Sequence, residues 1–194
     1  MTLVELAVAM GILSIAMVIL FSTLTSVQTA SVAEDVRSKT INQVRLAQQS
    51  IDRQVRSGNL LYPPTGGGYT LLIYTQAYAL QDAAAFGTTS RCALWTIDSQ
   101  NRLMYGYWKP NDPTPTTTWQ VVAEGVLNRV ASPAVTAFVL DPTGRTMTVQ
   151  FVINSNPTTA PNATQRLQTA VTGRNTSFGY PLAVCSTLPT NIPT

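Results

Sequence analysis

Glu5 heads a long stretch of chain without charge. From Leu6 to Phe21 the residues read LAVAMGILSIAMVILF, with Ser14 as the one polar side chain. A carboxylate at the head of such a run has two uses. It can face water at a helix N-terminus, where the macrodipole favours it, or it can pair with a cation at its own depth once helices bundle. No Lys or Arg lies near that depth, Arg37 being the first along the chain, so the available cation is the α-amino group of Met1, most naturally that of a neighbouring copy. At ~4 Å and an effective dielectric of about 20 the pair is worth about 4 kcal/mol before desolvation. It would fix the axial register of hydrophobic rods that packing alone leaves loose. The second chemical pair is Cys92 and Cys185, the two cysteines of the chain. An even pair outside the cytosol favours a disulfide, with two buried thiols as the alternative. Closing that loop is worth ~4 kcal/mol in the chain-entropy picture.

Little else in the sequence carries chemistry. There is no histidine, which removes imidazole acid–base catalysis and His-ligated metals, and two cysteines cannot build a zinc cluster alone. No nucleophile has a visible base and no Walker-type loop is present, so neither catalysis nor a cofactor is expected. Charged residues are 11% of 194, with 12 Lys+Arg against 9 Asp+Glu and a net charge of +3. That balance gives no electrostatic footprint for nucleic acid and, with 45% hydrophobic residues, no basis for disorder. The loop Pro113 to Thr118 offers Thr116 and Thr117 as O-glycosylation candidates, though plain solvated loop is commoner. Asn162-Ala163-Thr164 and Asn175-Thr176-Ser177 match the N-glycan sequon, a motif short enough to arise by chance. Trp95, Tyr105, Tyr107, Trp108 and Trp119 are read as sheet packing rather than a ligand platform.

The elements that must position Glu5 and the cysteines differ in texture. Residues 1–27 form a hydrophobic helix long enough for a bilayer, since about 20 apolar residues at ~1.5 Å each cross a ~30 Å core. Residues 28–58 continue it as an amphipathic helix, with Val36, Ile41, Val44, Ala47, Ile51 and Val55 on one stripe. Gly58 stops it, with Pro63 and Pro64 shortly beyond. A helix over 1–57 would measure roughly 85 Å and must protrude from any domain built by the rest. Residues 59–194 form a β-rich domain with an extended tail. Strands are expected at Tyr69–Thr75, Cys92–Ile97, Arg102–Trp108, Trp119–Val122, Val135–Leu140, Thr146–Ile153 and Gln165–Thr172. Hairpins turn at Asp98–Asn101 and Asp141–Gly144, and Ala77–Phe86 suits a short helix. The class is α+β, a long N-terminal helix packed on a half-buried antiparallel sheet.

A secretory signal peptide is the plain alternative for the first segment, with Ser31-Val32-Ala33 resembling a cleavage site. Glu5 stands where that reading needs basic residues, and the apolar run is long for it. Positive-inside bias places Arg37 and Lys39 in the cytoplasm, whereas a disulfide suits the exterior. Both agree if the mature chain has lost a leader that carried cytoplasmic positive charge.

Met1-Thr2-Leu3-Val4-Glu5-Leu6, leading into an apolar run and a long amphipathic helix, resembles the mature N-terminus of a type IV pilin or type II secretion pseudopilin. The resemblance is specific over about the first 27 residues, general to residue 58, and covers none of the β-rich part by motif. The family usually begins with phenylalanine; this chain has Met1. The resemblance implies cleavage by a prepilin peptidase, methylation of the Met1 amine, and inter-subunit pairing through Glu5. It also implies a subunit held in the cytoplasmic membrane and then assembled by separate pilus machinery into an extracellular helical filament. Gly11 and Ser14, with Ser22, Thr23, Thr25 and Ser26, mark either a stretch where the helix melts in the filament or a site of close interhelical packing. The segment Leu167–Asn175 resembles the larger minor members, so a minor pilin or pseudopilin that primes or caps a filament is the second reading. A membrane-anchored extracytoplasmic binding module is the reading from another class.

Overall fold

The computed structural model describes residues 2–77, 90–154, 164–173 and 181–193, without the Glu5 side chain. A single helix, α1 (Leu3–Arg56), precedes two antiparallel sheets. The first holds β1 (Gly58–Leu61), β2 (Thr70–Thr75), β3 (Arg91–Ile97), β4 (Leu103–Trp108) and β5 (Gln120–Ala123) in sequence order, and the second holds β6 (Phe138–Leu140), β7 (Thr146–Ile153) and β8 (Gln165–Thr172). The protein is α+β, a long N-terminal helix packed on antiparallel sheets. The chain forms two compact units, Met1–Ser38 and Lys39–Thr194. The part of α1 from Lys39 onward therefore lies in the same compact unit as the sheets.

That membership comes from burial. Val44, Ala47, Ile51 and Val55 are fully buried, each larger aliphatic contributing about 1.5–3 kcal/mol. They meet Leu71, Ile73, Ala93, Trp95, Ile97, Leu103 and Tyr105 of the first sheet and Phe138, Met147, Val149 and Phe151 of the second. The N-terminal end of the expected stripe does not share this fully: Val36 lies in the first unit and is exposed, and Ile41 is only partly buried. The buried face of α1 also includes Gln54. Its Oε1 accepts from Trp95 Nε1 at 2.7 Å and its Nε2 donates to the Tyr105 hydroxyl at 3.2 Å. Trp95 and Tyr105 pack with ring centroids 4.5 Å apart. Gln54→Leu keeps the volume but strips Trp95 of this acceptor, and a buried donor left unpaired costs about 2 kcal/mol. The chemical denaturation midpoint should fall accordingly; an unchanged midpoint would show that water takes over the bond.

Two sheets replace the single sheet expected because the β5–β6 connection is tied down rather than paired. Asn128, fully buried, donates through Nδ2 to the carbonyls of Val135 and Gln150 and accepts at Oδ1 from Val152 N–H. Val135 N–H in turn donates to Asn128 O, which shortens the expected strand Val135–Leu140 to Phe138–Leu140. Phe138 N–H reaches across to Gly68 O at 2.9 Å, joining the two sheets. Gly68 makes this approach at φ +82°, with no room for a Cβ beside Thr136.

The central strand is also more deeply buried than a half-buried sheet requires: every residue of β3 is buried. Ala93, Trp95 and Ile97 face the helix side, while Cys92 and Leu94 join a second cluster with Leu60, Tyr74, Trp108, Val184 and Cys185. The C-terminal segment, expected to be extended, contains a 3₁₀ helix (Leu182–Cys185) belonging to this cluster.

Both expected hairpins are present, each organised by its aspartate. Asp98 accepts from the N–H groups of Gln100 and Arg102 and from the Arg102 guanidinium at 2.7 Å. Asp141 accepts from the Thr143 hydroxyl and from the N–H groups of Arg145 and Thr146. Those donors, the Thr143 hydroxyl first, hold its carboxyl below the ordinary range. β1 is an addition to the expected strands: Gly58 and the two prolines signal a helix stop and nothing more. Residues 78–86 of the suggested short helix lie outside the described residues.

Candidate assembly site

Met1 lies outside the described residues, and of Glu5 only the helical backbone is described. The first α1 turn begins with Leu6 N–H donating to Thr2 O. Beyond it every described side chain of residues 2–38 is exposed. Leu3, Val8, Met10, Ile12, Leu13, Ile15, Val18 and Phe21 point their apolar surface outward all round the helix, Leu3 at 86% exposure. A helix that is apolar on every side and left uncovered needs lipid or other helices around it. Residues within α1 also meet the length and hydropathy needed to cross a membrane.

Gly11 and Ser14 fall inside regular helix. A Cβ at Gly11 would meet nothing within 4 Å, so the residue offers space on the helix surface. Ser14 spends its hydroxyl on Gly11 O at 2.8 Å. Farther along, Thr23, Thr25 and Thr29 each donate to a carbonyl three or four residues back.

At the other end of the chain, Cys92 and Cys185 form a disulfide with Cα atoms 5.8 Å apart, so the free-thiol alternative falls away. The bond joins β3 to the C-terminal segment. Four hydrogen bonds also hold that segment. Tyr62 donates its hydroxyl to Leu182 O and accepts from Cys185 N–H, Asn111 N–H donates to Val184 O, and Asn191 Nδ2 donates to Thr117 O.

The two threonines offered for glycosylation differ. Thr116 is exposed, whereas the Thr117 hydroxyl donates to Tyr107 O and accepts from Tyr107 N–H, pinning the loop to β4. Asn162 and Asn175 lie outside the described residues. Trp95, Tyr105 and Trp108 are buried in the two clusters, Tyr107 packs against the main one, and the Trp119 ring lies where a Cβ on Gly106 would have to be.

Two surface features have no signal in the sequence. A hollow of about 310 Å³ is lined by Arg91, Tyr107, Trp108, Lys109 and Asp112, with the Arg91 guanidinium stacked 4.9 Å from the Tyr107 ring centroid. A larger cleft of about 730 Å³ lies where α1 ends, among Gln49, Asp52, Arg53, Arg56, Asn59 and Gln76. There Arg56 Nε donates to Asp52 at 2.8 Å, a bond that raises the guanidinium pKa further. The hollow draws on β3, β4 and the loop after it, whereas the cleft is lined almost wholly by residues 49–59, with Gln76 added from beyond β2. No family model, curated protein or solved structure matches the chain.

Proposed function

We propose that the chain is a structural subunit of an extracellular filament of the type IV pilus class. The supporting observation is the exposed apolar helix from Leu3 to Val27, with one carboxylate at its head. Before assembly the helix resides in the cytoplasmic membrane. On assembly it moves into a core of like helices, exchanging one apolar environment for another at little cost. The Glu5 carboxylate takes the methylated Met1 amine of an adjoining copy and sets the axial step. The β-rich domain forms the outer surface and carries contact specificity, its C-terminal segment held by the disulfide. Motor proteins encoded elsewhere supply the work.

Electron micrographs of cells with and without this chain test the reading directly, together with mass spectrometry of the mature N-terminus. Filaments that disappear with the chain, and an N-methylated Met1, are expected. Cells whose surface is unchanged by its removal would overturn it.

A further inference from the structure

The cleft where α1 meets β1 is lined by two arginines, one acid and several amide side chains. The part of α1 in the second unit carries Lys39, Arg45, Arg53 and Arg56, against the single acid Asp52. Asp52 is already engaged with Arg56. Arg53 forms no ion pair among the described residues. Asn59 sits on the β-bulge where the β1–β2 register shifts, a device that re-aims a side chain at a sheet edge. Its Nδ2 is buried and finds no hydrogen-bond acceptor among the described residues. That nitrogen faces inward, so the groups the cleft presents to solvent are the exposed guanidinium groups of Arg53 and Arg56.

The chain itself carries matching acids. Glu34 and Asp35 are consecutive and exposed on α1; Glu34 lies a loose 3.7 Å from Arg37, and Asp35 has no ion-pair partner among the described residues. An exposed pair at i,i+3 is worth little and is easily exchanged. We propose that the cleft lined by Arg53, Arg56 and Asn59 takes the Glu34–Asp35 carboxylates of a second copy of this chain. The inference rests on the filament reading and adds to it a second charged contact, distinct from the one at Glu5. Guanidinium groups suit it because they hold carboxylates through two parallel bonds.

Two experiments on the full chain in its own membranes test this. The first compares R53E/R56E, E34R/D35R and the four-fold combination by filament count. Each charge reversal should cut the yield about tenfold, and the combination should recover most of it, as a coupled pair does in a double-mutant cycle. The second introduces Arg53→Lys and treats membranes with a carbodiimide, which joins an amine to a touching carboxylate. A covalent dimer whose linked peptides join position 53 to Glu34 or Asp35 is expected. Filaments that persist unchanged in R53E/R56E, with no such dimer, would overturn this inference and leave the filament reading intact. The cross-linked dimer in cells that never form a filament would do the reverse. Neither dimer nor filament would remove both.

Discussion

Cells carrying Glu5→Ala in place of the wild-type chain should produce essentially no filaments, while the subunit accumulates in the membrane with its disulfide formed. A carboxylate–ammonium pair at ~4 Å contributes about 4 kcal/mol before desolvation. Even if desolvation takes half of that, the remaining ~2 kcal/mol changes each subunit addition by more than tenfold. In the proposed polymer the contact would recur at every step, so the effect on length should compound. Glu5→Gln separates charge from shape, because it keeps the size and a hydrogen-bonding end and should still fail. Glu5→Asp, which keeps the charge on a shorter arm, should assemble poorly rather than not at all. Normal filaments from the alanine variant would leave the carboxylate without the role given to it.

Removing the disulfide should be the largest change in the stability of the β-rich domain. The two cysteines are 93 residues apart, and a loop of that size contributes about 4–5 kcal/mol in the chain-entropy picture. Single domains are stable by only about 5–15 kcal/mol, so Cys92→Ala with Cys185→Ala should take a large share of the total. For a chain of this length the melting temperature should fall by roughly 10 °C or more. The loss should begin locally. Tyr62, Asn111 and Asn191 still hold the C-terminal segment through hydrogen bonds, but no covalent link then ties it to β3. Amide exchange in residues 181–193 should rise before that of β3 and β4. A melting temperature within about 3 °C of the wild type would mean that side-chain packing holds the segment unaided.

Strands are legible in the sequence wherever one face alternates. The expected bounds of Thr146–Ile153 and Gln165–Thr172 coincide with the observed ones. In the first of these, Met147, Val149, Phe151 and Ile153 recur every second residue above a polar face. For β2, β3 and β4 the expected starts fall within a residue of the observed ones, their β-branched and aromatic residues being dense. β1 is not legible, because four residues between a helix stop and two prolines are too few to establish a period. Aliphatic spacing marks most of the buried face of α1 but passes over Gln54. That residue belongs there because an indole N–H and a phenol on strands far along the chain require a partner. Local periodicity carries no record of that need. Nor does it record that the chain after β5 closes on Asn128 and starts a second sheet. The candidate assembly residues stand out for the opposite reason: the charge at Glu5 is anomalous in its immediate neighbourhood. The cleft of Arg53, Arg56 and Asn59 exists only once a helix end and a strand edge meet, and each residue alone looks like ordinary solvated surface.

The threonine hydroxyls of α1 bear on how such a rod could change surroundings. Thr23, Thr25 and Thr29 direct their protons into the carbonyls of their own preceding turn, as Ser14 does nearer the start. Polar groups satisfied within the helix ask nothing of lipid, water or a neighbouring rod. The three threonines of the stretch that looks least oily are therefore self-sufficient, and a move from fat to protein would break none of these bonds.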